Sequence, residues 1–187
     1  MAFAFFAIVM DYLFQSPRLG FRTWQENDLP PFTELNADEE VMEFFPSTLS
    51  LQQTKEAIGR YQRHFKTHGF GWYAVDLLAT DTFIGFIGFS KTEMDVSFSP
   101  CIEIGWRLAK PYWGKGLATE GAQICLNYGW HTLGFTEVYS FTASINQRSA
   151  RVMKKLGMVY QGTFLHPKVE KGHSLEEHRL YKVSKPE

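Results

Sequence analysis

Cysteine is scarce in this chain. Two among 187 residues, Cys101 and Cys125, cannot build a disulfide framework, which suits a reducing cytosol. Charge of either sign is not in excess. The 19 Lys and Arg oppose 20 Asp and Glu, so composition gives no nucleic-acid footprint. Zinc spacing is missing too. His166, His173 and His178 stand seven and five residues apart, so no metal is expected. No apolar run reaches the roughly 20 residues of a membrane span. The opening stretch, Met1 to Met10 (MAFAFFAIVM), stops at Asp11. It has no basic leading region and no small-residue cleavage site, which argues against a signal peptide. We read 1–14 as an apolar extension, with translation expected to start at Met10, and 15–187 as a single domain.

Punctuation and periodicity supply the elements. Leu19 to Trp24 reads as a strand. Acids and prolines open a short helix within Glu26 to Ala37, and a second is expected over Asp38 to Phe45, stopped by Pro46. Ser50 to Gln53 is a capping box. It opens about four helical turns, with Leu51, Ala57, Ile58, Tyr61 and Phe65 at helical spacing. Strands follow at Trp72 to Leu78, Phe83 to Ser90 and Ile102 to Leu108, the first two joined as a hairpin. A helix runs from Leu117 to His131 and a strand from Glu137 to Phe141. A second helix spans Asn146 to Leu156, ended by Gly157. Strands at Met158 to Phe164 and His178 to Val183 close the chain. This interspersion predicts an α+β fold, one mixed and mostly antiparallel sheet flanked by helices.

The stretch Glu103 to Thr119 (EIGWRLAKPYWGKGLAT) carries the chemistry. A strand enters a glycine-bearing turn that opens a helix. Gly114 and Gly116 let the backbone approach a ligand. The first amides of the helix have no partner within it and lie at the positive end of its dipole, which is a phosphate site. An ATP-type P-loop is excluded, because Ala109 and Gly116 stand where its first glycine and its Ser or Thr belong. The dinucleotide fingerprint is excluded too, since Thr119 replaces its third glycine.

Trp113-x-x-Gly116-x-Ala118 resembles the acyl-CoA-binding motif of the GNAT superfamily of N-acetyltransferases. The W-G-K-G run is most similar to its RimJ/RimL-like branch. The resemblance covers roughly Arg18 to Val183. It implies about seven strands, with two parallel central strands splayed apart at acetyl-CoA. The pantetheine arm would then pair with Trp106, Arg107 and Leu108. The pyrophosphate would lie on Trp113, Gly114, Lys115, Gly116, Leu117, Ala118 and Thr119.

Downstream, Asn146-Gln147-Arg148-Ser149 and Leu156-Gly157-Met158 resemble the family's N-x-x-[SA] helix ending in L-G-[FM]. The resemblance gives Asn146 a contact with the cofactor arm. Asn is also a strong N-cap, and capping through its oxygen would leave its NH2 free. Glu103 is the candidate general base, or else a structural carboxylate pairing a nearby Arg. Many family members use a tyrosine as general acid where this chain has Met153. The branch implies Ser149 instead, whose bland role is satisfying the first helical turn. A backbone amide of the Glu103 strand would polarise the thioester carbonyl. Cys125, inside an apolar helix, reads as packing rather than as an acyl-enzyme nucleophile.

The acceptor is implied only as a primary amine, on a protein N-terminus or a small molecule. At pH 7 roughly one α-amine in seven is neutral, against roughly one lysine amine in 2,500. Phe44, Phe45, Trp72, Tyr73 and Phe98 are expected acceptor walls, and His166, His173 and His178 are expected to serve loop architecture or the acceptor pocket rather than a metal. A cytoplasmic enzyme free of membrane and nucleic acid is expected, and the family permits a homodimer. A silent acyl-CoA sensor or an interaction subunit is the alternative, kept open by Met153.

Overall fold

The structure is a computed structural model and describes residues 11–187. Residues 1–10, and with them the expected Met10 start, lie outside the described residues. The strands are β1 (Phe14–Gln15), β2 (Leu19–Arg22), β3 (Trp72–Leu77), β4 (Thr82–Thr92), β5 (Cys101–Leu108), β6 (Glu137–Ala143), β7 (Val159–Leu165) and β8 (Glu177–Ser184). The helices are α1 (Leu29–Ala37), α2 (Leu51–His68), α3 (Leu117–His131) and α4 (Gln147–Lys155). One sheet holds eight strands in the order β1-β2-β3-β4-β5-β6-β8-β7. Every neighbouring pair is antiparallel except β5 and β6. The α+β class therefore stands. The count exceeds the expected seven because Phe14–Gln15 adds an edge strand to β2.

Two apolar layers sandwich the sheet. Leu19, Phe21, Ile84, Ile87, Ile104 and Leu108 pack with Leu126 and Trp130 of α3 on one face. Trp24, Phe32, Leu35, Ile58, Ala74 and Phe86 form a second cluster with α1 and α2. Phe14 stacks on Phe21 and Tyr128. Cys125 is fully buried, and burial raises its thiol pKa well above the ordinary value, as packing demands. Both cysteines are free.

The capping box forms as read: Ser50 Oγ accepts from Gln53 N, and Gln53 Oε1 accepts from Ser50 N. Leu51, however, is 57% exposed, because at N1 it precedes the buried stripe that begins at Thr54 and Ala57. The expected helix over Asp38 to Phe45 is absent and turns stand in its place. Asp38 Oδ1 accepts from the amides of Glu40 and Val41, a local bond that competes with helix.

A buried ion cluster that the sequence reading missed locks β2 to β3. The Arg22 guanidinium donates to both oxygens of Asp76 and both of Asp28, at 2.7–2.8 Å. Burial disfavours its charge, but the bonds to Asp28 and Asp76 outweigh that and raise its pKa. Tyr12 adds a bond to Asp76 from the chain start. Asp76→Ala removes one of the two carboxylates and leaves Arg22 Nε without its bond while Asp28 still pairs the cation, so stability should fall by about 1.5–3 kcal/mol. Urea unfolding checks this, with a lower midpoint and an unchanged slope expected.

Candidate active site

The site begins where the sheet comes apart. The parallel pair β5 and β6 is in register only at Glu103 and Tyr139. Beyond that point β5 keeps β4 on one side, through Arg107↔Phe86 and Leu108↔Gly85. Trp106, Arg107 and Leu108 on one strand and Ser140 to Ala143 on the other line a cavity of about 890 Å³. Side-chain alternation along β5 sorts its residues. Ile104 and Leu108 enter the α3-side core. Glu103, Gly105 and Arg107 face the other layer, where Trp72 lies against Gly105 and Phe86 lies beside Arg107.

The turn after β5 is held open for a ligand. Gly114 and Gly116 have φ of +72° and +77°, a region that L side chains resist. Gly116 takes the N-cap position of α3 and offers no side-chain cap, so the amides of Leu117, Ala118 and Thr119 are left for another acceptor. Gly114, Gly116, Leu117, Ala118 and Thr119 all line the cavity. Lys115 does not. Its carbonyl accepts from Arg18 Nη1 at 3.1 Å, while Arg18 also pairs with Glu120 in the first turn of α3. Trp113 braces the turn, its indole Nε1 donating to the Leu108 carbonyl at 2.7 Å. The Arg148 guanidinium covers its ring at 4.5 Å.

Helix α4 forms the opposite wall. Asn146 caps it, accepting from Ser149 N at 3.1 Å. Its NH2 is not wholly free as expected, because Nδ2 donates to Thr142 Oγ1 at 2.9 Å and one N–H remains. Ser149 lines the cavity, and its hydroxyl has no hydrogen-bond partner among the described residues. Met153 is buried in the α3-side core, so this position does not face the cavity. Arg148, Arg151 and Lys155 also line the cavity. Their spacing of three and four was a readable sign of one basic helical stripe. They bring positive charge to the side where the amides of α3 open.

Glu103 sits at the mouth of the splay. Burial pushes its carboxyl up to about 7, against the opposing pull of the Thr92 hydroxyl and Lys168. Thr92 Oγ1 donates to Glu103 Oε2 at 2.7 Å, and among the described residues Glu103 has no Arg partner. Phe44, Phe45, Tyr61, Trp72 and Phe86 line the adjoining wall. Two of the expected walls are elsewhere. Tyr73 is buried in the core, because β3 alternation turns it away from Trp72. Phe98 packs on Tyr139 and Phe164 instead. His166 and His178 do line the cavity, with rings 4.7 Å apart. Burial pushes His178 down to about 4, and it also lowers His166. His173 is outside the cavity lining and accepts from Leu175 N through Nδ1. Asn36 went unread, because its contact with Arg107 bridges 71 residues and leaves no local pattern, and Tyr61 was read only as part of a helical stripe.

Residues 18–159 match the family model described as an acetyltransferase (GNAT) domain. The chain is 28% identical over 170 residues to the uncharacterized N-acetyltransferase YnaD of Bacillus subtilis (strain 168), across 91% of this chain and 95% of that protein. A GNAT-family acetyltransferase from Bacillus anthracis is similar in structure, with a TM-score of 0.76 at 25% identity over 91% of this chain and 96% of its own. The spermidine N-acetyltransferase of Vibrio cholerae, solved with CoA and spermine, shares the fold at 19% identity. Its TM-score is 0.70 over 90% of this chain and 96% of its own.

Proposed function

From the premise that this chain belongs to the acetyltransferase (GNAT) family and is an N-acetyltransferase, we propose that it transfers an acetyl group from acetyl-CoA directly to a primary amine in a ternary complex. The supporting observation is the unpaired β5 edge, which runs from Glu103 into the open amides of α3. The W-G-K-G turn and Ser149 support placement in the RimJ/RimL-like branch. Two free, buried cysteines fit a cytosolic enzyme. Among the described residues, no helix is long and apolar enough to cross a membrane. We take 15–187 as the catalytic domain.

The residues divide the work. Amides of Gly114 to Thr119, with Arg151 and Lys155, hold phosphates by helix-end geometry and charge. The edge of Trp106 to Leu108 offers strand-type pairing to an amide-bearing arm, and the remaining N–H of Asn146 offers one more donor. Acetyl-CoA supplies the acyl group as an activated thioester. Glu103 takes the proton from the ammonium or through water, which leaves a lone pair to attack the carbonyl carbon. A C–N bond forms and the C–S bond breaks. The Ser149 hydroxyl hands a proton to the departing sulfur, and the second proton of the attacking nitrogen passes to Ser149 through water, which restores the hydroxyl and leaves the neutral amide. A backbone amide of β5 faces the carbonyl oxygen.

Ser149→Ala separates binding from chemistry. It should lower kcat by about 10²-fold while leaving acetyl-CoA affinity within about twofold. Calorimetry and thiol release on one preparation read both, and wild-type turnover would remove Ser149 from the mechanism. The same pair of assays tests the function as a whole, because folded protein that does not bind acetyl-CoA would refute it.

A further inference from the structure

Arg107 is a charge that no ion pair among the described residues accounts for. Its side chain is mostly buried, and no carboxylate among the described residues pairs with it. Nη1 donates to Asn36 Oδ1 at 2.7 Å, a neutral partner, and Nε is buried with no partner at all. Asn36 is spent in holding this arrangement, because its Nδ2 donates to Thr54 inside the core. The guanidinium carbon lies 4.0 Å from the Phe45 ring centroid and 5.4 Å from that of Phe86. Arg22, by contrast, receives two carboxylates in its buried setting. A guanidinium taken out of water without an anion is costly, and burial accordingly lowers the Arg107 pKa.

The position of this charge gives it a use. Arg107 and Glu103 alternate onto the same face of β5, about 13 Å apart along the strand by its rise of about 3.3 Å per residue. Trp72 lies over Gly105 between them. Burial raises the Tyr61 pKa, with Arg107 opposing and Glu103 adding to the rise, so Tyr61 lies within electrostatic reach of both. All four residues line the same cavity on its α1 and α2 side. Lys168 lines that cavity too, and Glu103 is the one carboxylate among the lining residues. A second ammonium on the acceptor would therefore meet cations, whereas an anionic group would meet a guanidinium prepared for it.

We propose that Arg107 recognises a carboxylate on the acceptor, so that the substrate is an amine that carries a carboxylate, its nitrogen at Glu103 and its anion at Arg107. This rests on the acetyltransferase reading above. A free amino acid and an acidic N-terminal residue of a peptide both have this chemistry. Met replaces the guanidinium with an unbranched apolar side chain and leaves the backbone edge of β5 in place.

The test is thiol release from acetyl-CoA with matched acceptors. These are α-amino and ω-amino acids of increasing length, their carboxamides, diamines of equal length, and short peptides that begin with Asp or Ser. One carboxylated amine should exceed its own carboxamide and diamine by about 100-fold in kcat/KM. Arg107→Met should erase that preference, chiefly through KM, and Arg107→Lys should restore part of it. Acetyl-CoA affinity by calorimetry should stay within about twofold, since only backbone serves the cofactor arm there. Thermal unfolding of the Met variant should stay close to wild type, because a buried unpaired charge is removed while Asn36 Oδ1 loses its donor. Free amino acids outrunning the peptides would identify the small-molecule source, and the reverse would identify a protein end. Carboxamides or diamines that match the acids would overturn the proposal alone. So would acetyl-CoA binding without turnover of any carboxylated amine, or a Met variant that keeps the wild-type preference. Folded protein that does not bind acetyl-CoA would instead refute the acetyltransferase reading beneath it.

Discussion

Glu103→Gln is expected to lower kcat/KM by about 10²–10⁴-fold while acetyl-CoA affinity holds, because it removes the proton acceptor and keeps the side-chain shape. The pH profile gives a sharper signature. With the Glu103 carboxyl at about 7, wild-type kcat/KM should fall about tenfold per pH unit below that value, since only the carboxylate takes a proton. The Gln variant should lose this acidic limb. A second limb at higher pH belongs to the acceptor amine and should survive in both proteins.

Stability gives an independent reading of the same group. Its folded pKa of about 7 lies above the unfolded value of 4.5, so the folded state binds more protons between them. Stability from this group is therefore present below about 4.5 and is lost as pH rises to about 7. The Gln variant should melt higher than wild type above pH 7 and equally below pH 4.5. Wild-type turnover with an intact acidic limb would leave Glu103 as a structural carboxylate only.

Gly116→Asp should weaken acetyl-CoA binding by at least about 100-fold and abolish turnover at ordinary substrate concentrations. At φ +77° any β-carbon is strained, at a cost of roughly 1–2 kcal/mol. The nearest atom to an added Cβ is Arg18 Nη2 at 3.7 Å, so there is room for it. An acidic side chain at a helix N-terminus also suits the dipole, which offsets part of that strain. The fold should thus survive while a negative charge occupies the place where phosphate would sit. Circular dichroism with calorimetry separates the two effects. Unchanged affinity in folded protein would show that the α3 amides do not hold the pyrophosphate.

What could be read from the chain depended on the range of the interaction. The Ser50 capping box, the helix end at Gly157 and the glycines of the turn before α3 are set by neighbouring residues, so each was legible before any coordinates. Failures came where a local preference met a competing bond. Asp38 diverted 38–45 from helix into turns, and Phe14–Gln15 gained a strand only because β2 was there to pair with it. The Glu103 to Thr119 motif and Asn146 were visible as patterns, but Trp113 gave no sign of bracing the turn through Leu108 and Arg148.

The sequence by itself determined the α+β class and the motif-bearing turn, because these follow from spacing along one chain, while its resemblance to the acetyltransferase family made Glu103 and Ser149 candidates. Tertiary structure alone decided which of them face a common cavity. It turned Met153 and Tyr73 into the core, opened the edge of β5 after a single pairing with β6, and joined Arg22 to Asp28 and Asp76. It also buried Arg107 beside Asn36 without an anion. Burial and charge compensation are sums over residues far apart in sequence, so they exist only once the chain has packed.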